Sequence, residues 1–212
     1  MSGSDKLERL TFLDDLVFIA KFIGFLLMMI SLLLRWLYFD LELSGTIKDL
    51  LGVDYMECSA NIIGKASAKN VVLESVSYKI ELKIPLLRLI GSLIILLTLL
   101  LILETMWLLY SRQTAKGMKR IDKINRIYAL DILISPIAIF LPLIIIGFYS
   151  NFGAILLLYE RSAAGRFIPA SESSMTIQNP SLGLGPYIAL VGGFVWFISS
   201  IIQGISIYDK TK

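Results

Sequence analysis

Apolar and polar positions along this chain are grouped in long blocks. Four apolar runs stand out, in KFIGFLLMMISLLLRWLYF, LIGSLIILLTLLLIL, ILISPIAIFLPLIIIGF and ALVGGFVWFISSII. With its flanks each forms a block of about 20 residues, the length that an α-helix needs to cross about 30 Å of hydrocarbon. The pattern predicts transmembrane helices over about 17–39, 85–110, 127–149 and 186–207. The first is expected to be retained, because its apolar run is too long for a signal-peptide core and residues 1–15 hold four acids against two bases. Lys21 and Arg35 are expected to snorkel to opposite interfaces, with Trp36, Tyr38 and Phe39 as an aromatic belt. Pro136 and Pro142 predict kinks in the third helix.

Between the first two helices the pattern changes to strict alternation. In SVSYKIELKI, Val76, Tyr78, Ile80, Leu82 and Ile84 point one way while Ser75, Ser77, Lys79, Glu81 and Lys83 point the other, as a half-buried strand requires. Partners are available in GVDYMECSANIIG and KNVVLE, so residues 40–83 are expected to form a small antiparallel sheet outside the bilayer. Pro85 ends the strand and opens the second helix. Residues 154–160 read as a helix extension or, preferably, as a strand added to that sheet. The stretch from Arg161 to Pro186, rich in Ser, Gly, Ala and Pro, reads as a loop within the second outer connection, 150–185. The fold class expected is thus an all-α membrane bundle of four helices with a small extracytoplasmic β-sheet, one integral membrane domain over residues 1–212.

Composition agrees. The chain is 56% hydrophobic, above the roughly 45–50% of a soluble domain, and its mean hydropathy is +0.76. Its charge is informative only when divided between the two faces. Lys and Arg are dense in the amino-terminal segment, in residues 111–126 and in the carboxyl tail, and sparse in the long connections. By the positive-inside rule both termini and the basic loop 111–126 are cytoplasmic, and 40–83 and 150–185 lie outside. That loop carries Arg112, Lys116, Lys119, Arg120, Lys123 and Arg126, suited either to a solvated turn or to contact with anionic headgroups.

Three charges interrupt the apolar runs. Lys21, Glu104 and Asp131 lie six, eight and five residues from the nearest inner polar position, so they share a similar depth on three helices. An interhelical salt-bridge cluster is the favoured reading, because an isolated charge there costs at least a few kcal/mol. A proton or ion relay is the alternative. On the fourth helix Ala189, Gly193, Ser200 and Gly204 recur at spacings of four, seven and four, a small-residue seam for internal packing or for another subunit, with Gln203 near its inner end.

The chain contains no histidine, and its one cysteine, Cys58, reads as a half-buried hydrophobe or as an intermolecular bridge. No GxSxG, HExxH or CxxC pattern occurs, and GLGP at 183–186 lacks the lysine of a phosphate loop, so it reads as a flexible entry to the last helix. Four helices, inner termini, a long strand-bearing first outer loop and a second outer loop resemble the claudin and peripheral-myelin tetraspan arrangement. The resemblance is one of topology: residues 40–83 hold no tryptophan and a single cysteine, so no residue role is carried over.

The expectation is a non-enzymatic protein of the cell membrane that works by self-association or as an accessory subunit, in contact with lipid and needing no cofactor, nucleic acid or small-molecule ligand. The alternative is a small transporter or channel using Lys21, Glu104 and Asp131. Labelling of cysteines introduced in 111–126 in intact cells tests the topology. Modification is expected only after permeabilisation, and ready modification by an impermeant reagent reverses every assignment of side.

Overall fold

The computed structural model describes residues 3–44, 55–63, 65–68, 72–73, 76–77, 79–83, 85–114, 128–149, 159–161 and 175–211. It is mostly helical, with four long apolar helices: α1 (Gly3–Leu33), α2 (Pro85–Thr114), α3 (Tyr128–Phe148) and α4 (Gly185–Thr211). Each contains a stretch long and apolar enough to cross a membrane: Leu7–Leu33, Leu87–Ser111, Leu130–Gly147 and Gly185–Asp209. The chain divides into two compact units, one of Met1–Ser31, Ile94–Leu143 and Tyr187–Lys212, the other of Leu32–Leu93 and Ile144–Pro186.

The helices carry buried seams with a seven-residue repeat. On α1 the buried positions are Leu10, Asp14, Val17, Lys21, Gly24, Met28 and Ser31, alternating by four and three. On α4 Ala189, Gly192, Gly193, Trp196, Ser199, Ser200, Gln203 and Ser206 follow the same rhythm. Such a repeat holds a seam toward neighbouring helices that cross at a shallow angle, about 20°. In the first unit Val17 packs with Leu108, flanked by Phe18 and Ile202. Arg9 Nε pairs with Asp209 Oδ2 at 2.8 Å, joining the start of α1 to the end of α4.

The second unit holds an antiparallel sheet. Its strands are β1 (Arg35–Leu43), β2 (Tyr55–Asn61), β3 (Lys65–Ala68), β6 (Lys79–Lys83), β7 (Tyr159–Arg161) and β8 (Met175–Leu182), in the order β7-β6-β3-β2-β1-β8. Two short strands, β4 (Val72–Leu73) and β5 (Val76–Ser77), pair separately. Past the register shift between Arg35 and Leu37, burial alternates: Leu37 and Phe39 are buried and Tyr38 is 46% exposed. The register sets Phe39 beside Cys58 on one face and Asp40 beside Glu57 on the other. Cys58 is buried, and that burial, with the Asp40 charge nearby, pushes its thiol up to about 11. A buried thiol held in that state is a packing residue and a poor handle for an intermolecular bridge.

Several boundaries differ from the sequence-based expectation. The first helix spans Gly3–Leu33, not 17–39, and Trp36, Tyr38 and Phe39 belong to β1. A run such as RWLYFDLEL satisfies both a helix end and a strand, and pairing on both sides of β1 decides it. The expected loop 161–186 contains β8, whose edge position tolerates the polar run TIQNPS. There Asn179 adopts a left-handed φ of 48° ahead of Pro180. Its side-chain amide donates to Asp40 Oδ2 at 2.9 Å, and the β1–β8 register shifts between Tyr38 and Asp40. Tyr159–Arg161 pairs with β6, while residues 154–158 lie outside the described set.

The GLGP entry to α4 is fitted, not flexible. The Gly183 amide donates to the Trp36 carbonyl at 3.0 Å. A Cβ on Gly183 would strike the Arg35 carbonyl, and one on Gly185 the Trp36 ring. Gly91 of α2 is equally constrained, since a Cβ there would run into the Ile62 carbonyl beyond β2. Backbone cannot yield as a flexible side chain does. Gly91→Ala is therefore expected to cost about 1–3 kcal/mol, read as a lower melting temperature, despite its better helix propensity.

Candidate functional site: a buried charge cluster

The first unit contains a fully packed lysine. A lysine in an apolar seam needs acceptors, because an unpaired buried charge costs several kcal/mol. Lys21 of α1 and Asp131 of α3 are 0% exposed, and Glu104 of α2 is 5% exposed. Lys21 Nζ donates to Glu104 Oε2 at 3.1 Å and to Asp131 Oδ2. The second Asp131 oxygen, Oδ1, accepts from Trp196 Nε1 of α4 at 3.0 Å. One ammonium, two carboxyls and one indole N–H thus join all four helices at a single point.

Two features of the sequence produce this geometry. The seven-residue repeat puts Lys21, Glu104, Asp131 and Trp196 on inward seams. A long lysine side chain then spans the distance to both acids, and a buried tryptophan seeks an acceptor for its N–H. The structure brings together the three charges that depth alone singled out. It corrects the expectation of snorkelling: Lys21 is fully buried and its ammonium is directed inward, onto Glu104 and Asp131. Arg35 lies beyond the helix at the start of β1. Trp196 was not among the expected site residues, and its place in the seam opposite an acid was the available signal.

The small-residue seam of α4 is occupied within the same unit. A Cβ on Gly193 would lie 2.7 Å from the Ala138 carbonyl of α3, and one on Gly204 2.8 Å from the Tyr128 hydroxyl. Ser200 Oγ meets Ser135 Oγ at 3.4 Å, and Ala189 is fully buried. Gly192 beside this line lets α4 approach Gly24 of α1, its Cβ position being 3.2 Å from the Gly24 carbonyl. Of the basic-loop residues, Arg112 falls in the last turns of α2, and Lys116, Lys119, Arg120, Lys123 and Arg126 lie outside the described residues.

No protein-family model matches the sequence, and a search of curated proteins finds no relative. The reading of the site therefore stands on its geometry.

Removing the ammonium leaves two carboxyls facing each other without a counter-charge. Lys21→Met is expected to lower unfolding free energy by about 3–5 kcal/mol in detergent or lipid. Trp196→Phe removes one hydrogen bond to a charged group and is expected to cost about 1.5–3 kcal/mol. Thermal or denaturant unfolding of both variants checks the order.

Proposed function

We propose that this chain is a multi-pass protein of the cell membrane that acts by association, with itself or as an accessory subunit of a membrane complex, and that catalysis is not its role. The observation that supports membrane embedding is the inverted polarity of the helices. Lys21, Glu104, Asp131 and Gln203 are buried, while Ile19, Phe22, Leu96, Leu103, Phe140 and Phe194 are exposed. In water such a distribution leaves large apolar patches uncovered; in lipid it is the stable one. Both chain ends and the basic loop then face the cytoplasm, and the sheet faces outward.

The same arrangement supports a binding role for the sheet. Both long connections contribute strands, so the chain commits an ordered surface to that side. Because Asn179, Pro180 and the register shift disrupt the β8 edge, further strand addition there is disfavoured. The exposed face bearing Tyr38 and Glu57 is the better contact surface. With the α4 seam engaged against α3, this face carries the association.

Purification in mild detergent tests the proposal. An oligomer or a co-purifying membrane subunit is expected, and Tyr38→Ala with Glu57→Ala is expected to weaken it while helicity stays unchanged. A strictly monomeric particle without a partner contradicts it. One observation favours the alternative, a small transporter or channel: further buried polar residues, Asp14, Ser111 and Gln203, lie one seven-residue repeat from the charge cluster. Ion flux in proteoliposomes that is lost in Glu104→Gln would establish that reading instead.

A further inference from the structure

We propose that the Lys21, Glu104 and Asp131 cluster is a monovalent-cation site, filled by a proton or a small alkali ion that enters from the end of the helical unit where α1 begins and α4 ends. Charge balance is the starting point. The cluster holds one ammonium and two carboxyls, and α4 contributes the Trp196 N–H but no charged side chain between Gly185 and Tyr208. The nearest further acids on α1 are Asp15 and Asp14, six and seven residues away, or about two turns. The Glu104 and Asp131 carboxyls converge on one group, each accepting from Lys21 Nζ. Two carboxylates tolerate that proximity only with a positive charge to share, and Lys21 supplies one where two are needed.

A second observation identifies where the missing charge sits. Glu104 Oε1 is buried and has no hydrogen-bond partner among the described residues. A buried carboxyl oxygen in that condition is satisfied by a proton, a bound cation or a buried water, and the excess negative charge of the cluster favours the first two. Among the described residues no three His, Cys, Asp or Glu side chains gather as a metal site. Two carboxyls that already share an ammonium suit a single added charge, not a divalent ion.

The seven-residue repeat sets the direction of access. One repeat from the cluster, a step of about 10 Å, Asp14, Ser111 and Gln203 replace Lys21, Glu104 and Trp196, and all three are buried. Ser111 Oγ has no hydrogen-bond partner among the described residues. One repeat in the other direction the corresponding residues are Met28, Leu97, Ala138 and Ala189, all buried and apolar. Thr98 beside them returns its hydroxyl to the Ile94 carbonyl at 2.8 Å. Between the cluster and the polar layer Val17 packs on Leu108, whereas on the other side the four corresponding residues are apolar. A cation thus finds polar groups beyond a single apolar contact on one side and none among the corresponding residues on the other, which makes a one-sided site and not a conduit.

Infrared difference spectroscopy of the full chain in lipid nanodiscs tests this without reference to any partner. A proton at the site gives a carboxylic-acid C=O band at neutral pH that shifts in D2O and is lost in Glu104→Gln. An alkali ion gives no such band in sodium chloride, and the band appears when choline replaces sodium. Ser111→Val is expected to slow exchange of the bound cation several-fold, and Thr98→Val to leave it unchanged. Absence of an acid band in both salts, or identical wild-type and Glu104→Gln spectra, overturns the site. Slowing by Thr98→Val but not by Ser111→Val overturns the direction of entry. Glu104→Gln removes the surplus charge and is expected to melt no lower than wild type; should it fail to fold, the two hydroxyl variants still decide.

Discussion

A single buried ammonium sets the terms for the helical unit. Lys21 is fully buried on the inward seam of α1, where its charge is destabilising unless acceptors surround it. Glu104 and Asp131 supply them from two other helices, and Trp196 holds the free oxygen of Asp131 from the fourth. None of these groups is tolerable alone in a low-dielectric interior. Their mutual need specifies which faces meet and at what level, a kind of information that apolar packing among Leu and Ile supplies poorly. The glycines and serines of α4 complete the arrangement. Gly193 and Gly192 allow close approach to α3 and α1, which brings the indole and the charged side chains within bonding distance.

Much of this was legible in residue patterns, for identifiable reasons. Apolar blocks of membrane-spanning length mark the four helices, and Pro85 marks the start of α2. Depth counted from the polar edges placed Lys21, Glu104 and Asp131 at one level, because helical rise is constant. The start of α1 was obscured because its first half, with Leu10, Asp14 and Val17 as the buried positions, mixes acids into an apolar repeat. Its end was obscured because Trp36, Leu37 and Phe39 suit a strand as well as a helix, and only the partners β2 and β8 settle which. β8 itself has little strand character in its sequence and is held by pairing. Its position in the chain, more than 130 residues after β1, puts the pairing beyond any local signal.

The layers on either side of the cluster carry the functional reading furthest. Residues one repeat apart pass from polar through charged to apolar, with Val17 and Leu108 packed between the first two layers. Snorkelling, the expectation for a lysine in an apolar run, is replaced by full burial because Glu104 and Asp131 supply acceptors on the inward side. The sheet, built from both connections and irregular at its β8 edge, is the second element with a function to explain. The proposed association through its exposed face and the proposed occupancy of the helical cluster are physically separable.

The most direct measurement of the central claim is a double-mutant cycle on Lys21→Met and Asp131→Leu, read by unfolding in lipid or detergent. If the buried pair organises the helices, the two losses are strongly non-additive, with a coupling of about 1.5–3 kcal/mol. Additive losses, with coupling near zero, would show that packing alone positions the helices and would contradict the account.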